Sequence, residues 1–500
     1  MTTKSPPVKN QHNIRLPFAG IMLAILVVST ALVINSNALS SIISSLSPKL
    51  IGIILFALAG SIVIIAWMTQ KLSRIPIALA LVIPFEKVSF GQSIGYEDLD
   101  LITPVLLLAL AAILLYIFRT GKLQLLRTGL EIPILLFLFS GCLAAILSFR
   151  PVFSLFRYIQ YAKVFVLFFV LFYLLRYSKY HTIKFTLYGY LGSTTVMVVY
   201  SIIMYGAFYV FGLESMTVHI HLNSFLRLFG TLRDPNIAAA YLVTPLFLAL
   251  YWSFLKRNKI FWLSLAGIFA IAIMLTFSRS GFLALFVGGL VWIWFNRRFL
   301  LHRHNRVILW IIIISLIIFL IFVFEAPRSY ISSNLVLFFN RLISSSHEAK
   351  ASNDMHEKMV IWAFESFLEK PWGTGRWNLA YYIGIENLRI WGYQTINDLI
   401  TSGPPVHNSW LEILASEGIG GFIAFSAIIF ITLRRGFSSI NIHRDFPGKG
   451  ELKSLTAGFV GLLVSMIFYT YDWMYFVWFI IAMISVLSLR ARDNLNTQNA

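Results

Sequence analysis

The chain of 500 residues is 58% hydrophobic and 12% charged, with a mean hydropathy of +0.79; a water-soluble domain cannot hide that much apolar side chain, because its surface must stay polar. Its apolar runs of about 17–25 residues have the length that crosses a hydrocarbon core about 30 Å thick, whereas a membrane β-barrel would show alternating segments of about ten. The net charge of +19 would suit a nucleic-acid partner, but the positions of the basic residues argue for membrane orientation instead, and the single Cys142 excludes an intrachain disulfide framework and a cysteine-based zinc site.

In chain order, a polar stretch 1–14 reads as a disordered cytoplasmic tail. The apolar run from Phe18 to Ile34 lacks a small-residue cleavage site after it and reads as a retained first span. Spans are predicted at 18–34, 50–68, 75–85, 101–118, 131–148, 158–175, 185–211, 236–255, 260–276, 280–296, 307–324, 409–433, 454–470 and 473–489. The segment 75–85 is short enough to be re-entrant or tilted. The expected fold class is therefore all-α: a polytopic membrane helix bundle of about 12–14 transmembrane helices. About eleven spans fall within 15–324, a loop domain occupies 325–406, the C-terminal transmembrane helices occupy 407–490, and 491–500 is a cytoplasmic tail.

With both termini cytoplasmic, Lys71/Arg74, Arg119–Arg127, Arg176–Lys184, Lys256–Lys259, Arg297–Arg306 and Arg434–Lys453 all face inward, as the positive-inside rule requires. The loop 325–406 then lies outside and is too long for a connector, which marks it as functional. Within it, "NDMHEKMVIWAFESFLEKPWGTG" reads as an amphipathic helix with Met359, Trp362, Phe364 and Phe367 on one stripe, ended by Pro371, Gly373 and Gly375. Such a helix packs on the membrane domain or lies in its interface.

Charges at the outer membrane surface carry the chemistry, because a charge at or below the headgroups is costly and is usually functional or paired. In "FLRLFGTLRDPNIAAAYL", Asp234 before Pro235 suits a helix N-cap, and Asn236 follows. Arg227 and Arg233 offer planar forks of donors suited to phosphate, beside a helix start that itself favours an anion. In "LTFSRSGFLAL", Arg279 lies in a tight external turn, either snorkelling to the headgroups or clamping an anion.

In "GPPVHNSWLEILASEGIGG", Ser409 and Glu412 match a capping box, and Asn408 precedes them. His407, after two prolines that restrict the backbone, is a candidate general base. Glu417 lies about one and a half turns into the span and is expected to pair with an arginine or to hydrogen-bond within the bundle. Asp98 and Asp100 resemble a metal pair but read better as acids at a helix start; no metal or cofactor is implied, and there is no Gly-rich phosphate loop, H-E-x-x-H or G-x-S-x-G.

"RLFGTLRDPNIAAAYL", "LTFSRSGFLALF", the loop helix closing on "KPWGTG", and "HNSWLEILASEGIGGF" together resemble the O-antigen ligase and polymerase superfamily of bacterial integral-membrane enzymes, in that order and over about Arg227 to Phe430. The resemblance implies a metal-independent glycosyltransferase of the cytoplasmic membrane with its active site on the extracytoplasmic face. The donor it implies is a glycan on undecaprenyl diphosphate, and the acceptor is a glycan or lipid-linked glycan. It maps diphosphate binding onto Arg227 and Arg279 and the base onto His407. Members often carry an arginine where this chain has Lys358; lysine keeps the charge but loses the fork, and Arg341 and Arg376 are the cations that could substitute.

Polymerase is preferred over ligase, with protein glycosylation as a further alternative inside the superfamily. A lipid-linked glycan transporter or flippase would also use outer arginines. It should, however, place charges deep in several spans or show paired broken helices in related halves, and Lys163 and Glu417 are the main buried charges.

Overall fold

A computed structural model describes residues 71–94, 97–120, 127–213, 217–221, 225–255, 258–300, 347–379, 406–441 and 445–499. The predicted spans 18–34, 50–68 and 307–324, and Arg341, lie outside the described residues. Twelve α-helices are present among those described: α1 Arg74–Val82, α2 Ile102–Thr120, α3 Glu131–Ile146, α4 Pro151–Arg176, α5 Tyr180–Phe211, α6 Pro235–Leu255, α7 Lys259–Leu275, α8 Arg279–Leu300, α9 His347–Glu369, α10 Ser409–Ile440, α11 Lys449–Ser465 and α12 Tyr475–Asn499. The protein is an all-α polytopic bundle, and among the described residues seven helices are long and apolar enough to cross a membrane: α2, α4, α5, α6, α8, α10 and α12. The segment 75–85 forms α1 and a 3-10 turn at Ile83–Phe85, a short apolar helix of less than spanning length.

Among the described residues two short antiparallel hairpins supplement the helices, and nothing in the hydropathy pattern announces them. β1 (Ser89–Ile94) pairs with β2 (Glu97–Asp100), and β3 (Val218–His221) pairs with β4 (Phe225–Leu228), placing Arg227 opposite His219. Both lie at the same end of the bundle as the starts of α6, α8, α10 and α12.

Helices α6 and α12 are buried over most of their length and form the centre, while α2 is buried over little of its length. Without a hydrophobic driving force between helices in lipid, close backbone approach depends on small residues. Gly288 of α8 and Gly461 of α11 show this. A Cβ at Gly288 would come within 2.9 Å of the Ala457 carbonyl and 3.4 Å of the Gly461 Cα. Gly458 makes the same kind of approach to Thr244 of α6.

Helix α10 is not continuous. Gly418 has φ 72° and ψ −172°, which splits it into a short limb Ser409–Glu417 and a longer segment beyond. An apolar pattern with scattered glycines predicts an unbroken, closely packed span here, and the structure differs.

Candidate active site

Three helices at this end of the bundle begin in the same way. Asp234 Oδ1 accepts from the backbone N–H groups of Asn236 (2.7 Å) and Ile237 (3.1 Å) at the start of α6. Ser278 Oγ accepts from Gly281 N (3.1 Å) at the start of α8. Asn408 Oδ1 accepts from Trp410 N and Leu411 N, both at 3.0 Å, at the start of α10. Immediately before each capping residue stands a non-glycine residue in the left-handed region: Arg233 (φ 60°), Phe277 (φ 51°) and His407 (φ 54°). Such conformations cost on the order of 1–3 kcal/mol each and persist only where the surroundings over-determine them; they cluster at functional sites.

Asp234 is the cap that the Asp-Pro pair predicts. At α10 the sequence expectation is corrected: Asn408, not Ser409, is the cap. An asparagine carbonyl there reaches two amides, and the Ser409 hydroxyl is taken up elsewhere, donating to the Tyr469 carbonyl at 2.9 Å and accepting from Tyr471 N at 3.0 Å. Glu412 does not close a capping box either; its Oε2 accepts from Val406 N at 3.1 Å and its Oε1 from Ser416 Oγ at 3.1 Å.

The three starts are tied to one another. Ser278 Oγ donates to Asn236 Oδ1 at 2.7 Å, joining α8 to α6. The Tyr469 hydroxyl donates to Asp234 Oδ2 at 2.5 Å, and its ring lies 4.9 Å from the half-buried His407 ring, joining α6 to α10. Each helix start carries free N–H groups and the positive end of a dipole, so their convergence favours an anion. The arginines reinforce this. Arg233 and Arg279 are exposed beside the starts of α6 and α8. Arg227 is buried on β4, where its Nε donates to the Thr276 carbonyl at 2.8 Å and braces the α7–α8 turn. Burial raises the Asp234 carboxyl above the ordinary range, against the pull of Tyr469, two backbone N–H groups and Arg227. Burial and the Asp234 charge together push the Tyr469 phenol well up.

Tyr469 belongs to the turn 466–474, which sequence reasoning misses. The predicted spans leave only 471–472 as connector, whereas α11 ends at Ser465 and α12 begins at Tyr475. The polar contacts of this turn reach different parts of the site. Asp472 Oδ2 accepts from Arg376 Nη2 at 3.1 Å and from the Tyr161 hydroxyl. Lys87 sits 3.5 Å over the Trp473 ring. Just beyond, Tyr475 N donates to Glu86 Oε2 (2.7 Å) and the Tyr475 hydroxyl to Asp100 Oδ2 (3.2 Å). Burial pushes the Glu86 carboxyl up to about 8 and the adjacent Lys87 ammonium down to about 8. The legible signal is "FYTYDWMY", a dense aromatic run around one aspartate in an otherwise aliphatic region.

The remaining predicted residues are placed as follows. Arg376 is 4% exposed, 3.5 Å from Glu417 and 3.8 Å from Glu412, so Glu417 finds the arginine partner expected of it. Lys358 is exposed on α9, and Arg376 is turned into the ion cluster rather than toward Lys358's surface. Asp100 caps α2 through Thr103 N (2.6 Å) and pairs with Lys163 (3.4 Å), in keeping with a helix-start acid. Among the described residues no group of three or more His, Cys, Asp or Glu is arranged to hold a metal.

Fold and site together define a multi-pass membrane protein whose polar chemistry is gathered at converging helix N-termini at one end of an apolar bundle. Residues 264–426 match the family model described as O-antigen ligase, and this supports membership of the chain in the O-antigen ligase and polymerase superfamily. The matched stretch holds Arg279, Lys358, Arg376, His407, Asn408, Glu412 and Glu417, while Arg227, Arg233, Asn236 and the 466–474 turn lie outside it. No curated protein matches the chain.

Proposed function

We propose that this protein is a glycosyltransferase of the outer face of the cytoplasmic membrane, moving a glycan from undecaprenyl diphosphate to an acceptor hydroxyl as a polysaccharide polymerase or ligase. The observation that carries the reading is the convergence of three capped helix starts, three arginines and one imidazole at one end of the bundle, inside or beside the family-matched stretch. An anionic headgroup on a long lipid fits a site built at the membrane surface from helix N-termini and guanidinium groups.

In the proposed step the acceptor hydroxyl attacks the anomeric carbon and His407 takes its proton. The bond between that carbon and the phosphate oxygen breaks, and the electron pair leaves on undecaprenyl diphosphate. Arg279 and Arg227, with Arg233 and the α6 and α8 starts nearby, neutralise the charge that grows on the departing diphosphate, so they act more strongly in the transition state than in the ground state. Asn236 and Asn408 hold the helix starts in place. No step needs a metal, and the reaction is expected to run in excess chelator.

The test is the purified protein in detergent with a synthetic undecaprenyl-diphosphate oligosaccharide, comparing wild type with His407→Gly, Arg279→Ala and Arg227→Ala. Turnover should fall by at least about a hundredfold in the histidine variant, the scale of general-base catalysis. Full turnover in all three variants would falsify the mechanism, and a strict requirement for divalent metal would remove its metal-free character. Exchanging acceptor lipid extracts and following glycan length separates polymerase from ligase.

A further inference from the structure

The transfer step makes no use of one group of buried charges, Arg376 and the carboxylates of Glu412, Glu417 and Asp472. We propose that Arg376 is a positioning residue for His407, locking the limb Ser409–Glu417 of α10 in the orientation that the base requires. The proposal rests on the reading of His407 as the base.

The break at Gly418 makes the limb a separate lever. A helix interrupted within a membrane must have its freed backbone groups satisfied by other protein groups. Here one short strap supplies most of them. The Ala415 carbonyl accepts from Thr374 N (2.9 Å) and Thr374 Oγ1 (3.0 Å), and the Ser416 carbonyl accepts from Gly375 N (2.9 Å). Ile419 N, on the far side of the break, donates to the Pro371 carbonyl at 2.9 Å. Ser140 Oγ donates to the Glu417 carbonyl at 2.8 Å. The strap 371–375 thus lies across the pivot, and it continues directly from α9.

Arg376 is the next residue of the strap. Its guanidinium reaches two carboxylates of the limb, Glu417 and Glu412, and one of the 466–474 turn, Asp472. The same turn holds the tip of the limb from the other side, since Ser409 N donates to the Met466 carbonyl at 2.9 Å and Tyr469 touches His407. One arginine therefore joins strap, limb and turn, hydrogen-bonded to Asp472 and ion-paired with Glu417 and Glu412, a three-way junction for which the single point charge of a lysine is poorly shaped. Without it, three buried carboxylates face one another across the joint with no cation between them, and the limb is driven to swing about Gly418. His407, two residues before the limb, swings with it.

Two measurements on the full-length purified protein test this: amide hydrogen exchange of the 409–417 peptide, and steady-state kinetics with the undecaprenyl-diphosphate oligosaccharide. Arg376→Gln should speed exchange across 409–417 by at least about tenfold while leaving the start of α6 protected. It should lower kcat by about a hundredfold with the donor KM changed by less than about threefold, as expected of a misplaced catalytic group. Arg376→Lys should fall between, and Arg376→Gln/Glu417→Gln, which removes one of the stranded carboxylates, should recover part of both losses. Unchanged exchange across 409–417 in Arg376→Gln overturns the proposal, and so does a raised KM at unchanged kcat, which would make Arg376 a donor ligand. If Arg376→Gln does not fold, Arg376→Lys is read by the same two criteria. If His407→Gly keeps full turnover while Arg376→Gln loosens the limb, His407 loses its role as base and the lock on the limb stands.

Discussion

The Tyr469 hydroxyl donates to Asp234 Oδ2 at 2.5 Å, joining residues 235 positions apart in the sequence. Both oxygens of that carboxylate are committed, one to the cap of α6 and one to the tyrosine whose ring lies against His407. The position of the imidazole therefore depends on how α6 begins.

Removing the hydroxyl should be felt at both ends of this bond. Tyr469→Phe leaves a buried carboxylate oxygen short of its donor, a loss of about 1–3 kcal/mol. The bond also pulls the Asp234 carboxyl down against burial, so the phenylalanine variant raises it further. The sign of the pH effect follows from the raised carboxyl. The native state holds this proton more tightly than the unfolded chain, so its contribution is largest below the unfolded value and is lost as pH rises through the native one. Asp234→Asn keeps the capping oxygen and removes the titration. The melting temperature of wild type relative to Asp234→Asn should therefore fall as pH rises from about 4 toward neutrality. Thermal melts over a pH series check this, and a flat difference would refute it.

At position 407 the choice of variant decides what is learned. The left-handed backbone (φ 54°) suits glycine and strains alanine by on the order of 1 kcal/mol. His407→Gly should melt at or above the wild-type temperature while turnover collapses. His407→Ala keeps the strain that His407 already carries and loses the ring contact with Tyr469, so both stability and turnover should fall, confounding the two. A glycine variant that keeps its turnover shows that the imidazole is dispensable.

The pivot of α10 gives a stability prediction. A Cβ at Gly418 would collide with the Pro371 and Trp372 backbone, and φ 72° is itself unfavourable for alanine. Neither neighbour is a flexible side chain that can withdraw. Gly418→Ala should destabilise the protein by roughly 3 kcal/mol or more, combining overpacking with backbone strain. Gly267→Ala, where nothing lies within 4 Å, is the matched control and should leave the melt unchanged.

What the sequence reveals of this fold and site divides along local and non-local lines. Hydropathy places α2 to α8 and α10 to α12 because a run of spanning length is a property of contiguous residues, and Asp234-Pro235 announces its helix start for the same reason. His407 and Arg279 stand out by charge at helix entrances and Arg227 by charge shortly before one, and their assigned roles remain proposals. The break at Gly418 is hidden, because a glycine in an apolar helix usually serves packing and only the strap 371–375 distinguishes this one. Arg376 reads only as a cation that could substitute for the arginine replaced by Lys358, for a related reason. Its partners stand at positions 412, 417 and 472, and no local pattern links them. All of the turn 466–474 but 471–472 reads as span because aromatic side chains score as apolar whether or not their hydroxyls make hydrogen bonds.

Charge at position 408 tests whether an anion sits at the start of α10. Asn408→Asp keeps an oxygen in the capping position and adds negative charge at a helix N-terminus, where it stabilises by about 0.3–1 kcal/mol. Asn408→Ala removes the acceptor of two amides and costs about 1 kcal/mol. On stability alone the aspartate should match or exceed wild type and the alanine should fall below it. Donor affinity should rank the other way. A carboxylate facing a diphosphate at close range raises the donor KM by about tenfold, equivalent to about 1.4 kcal/mol, while the neutral alanine changes it little. The aspartate penalty should also shrink as salt is added, because exposed charges are screened over about 10 Å at 0.1 M ionic strength. Melting curves and donor titrations on the same three preparations decide the matter: an aspartate variant with wild-type donor KM at low salt places the diphosphate away from α10 and leaves its binding to the α6 and α8 starts.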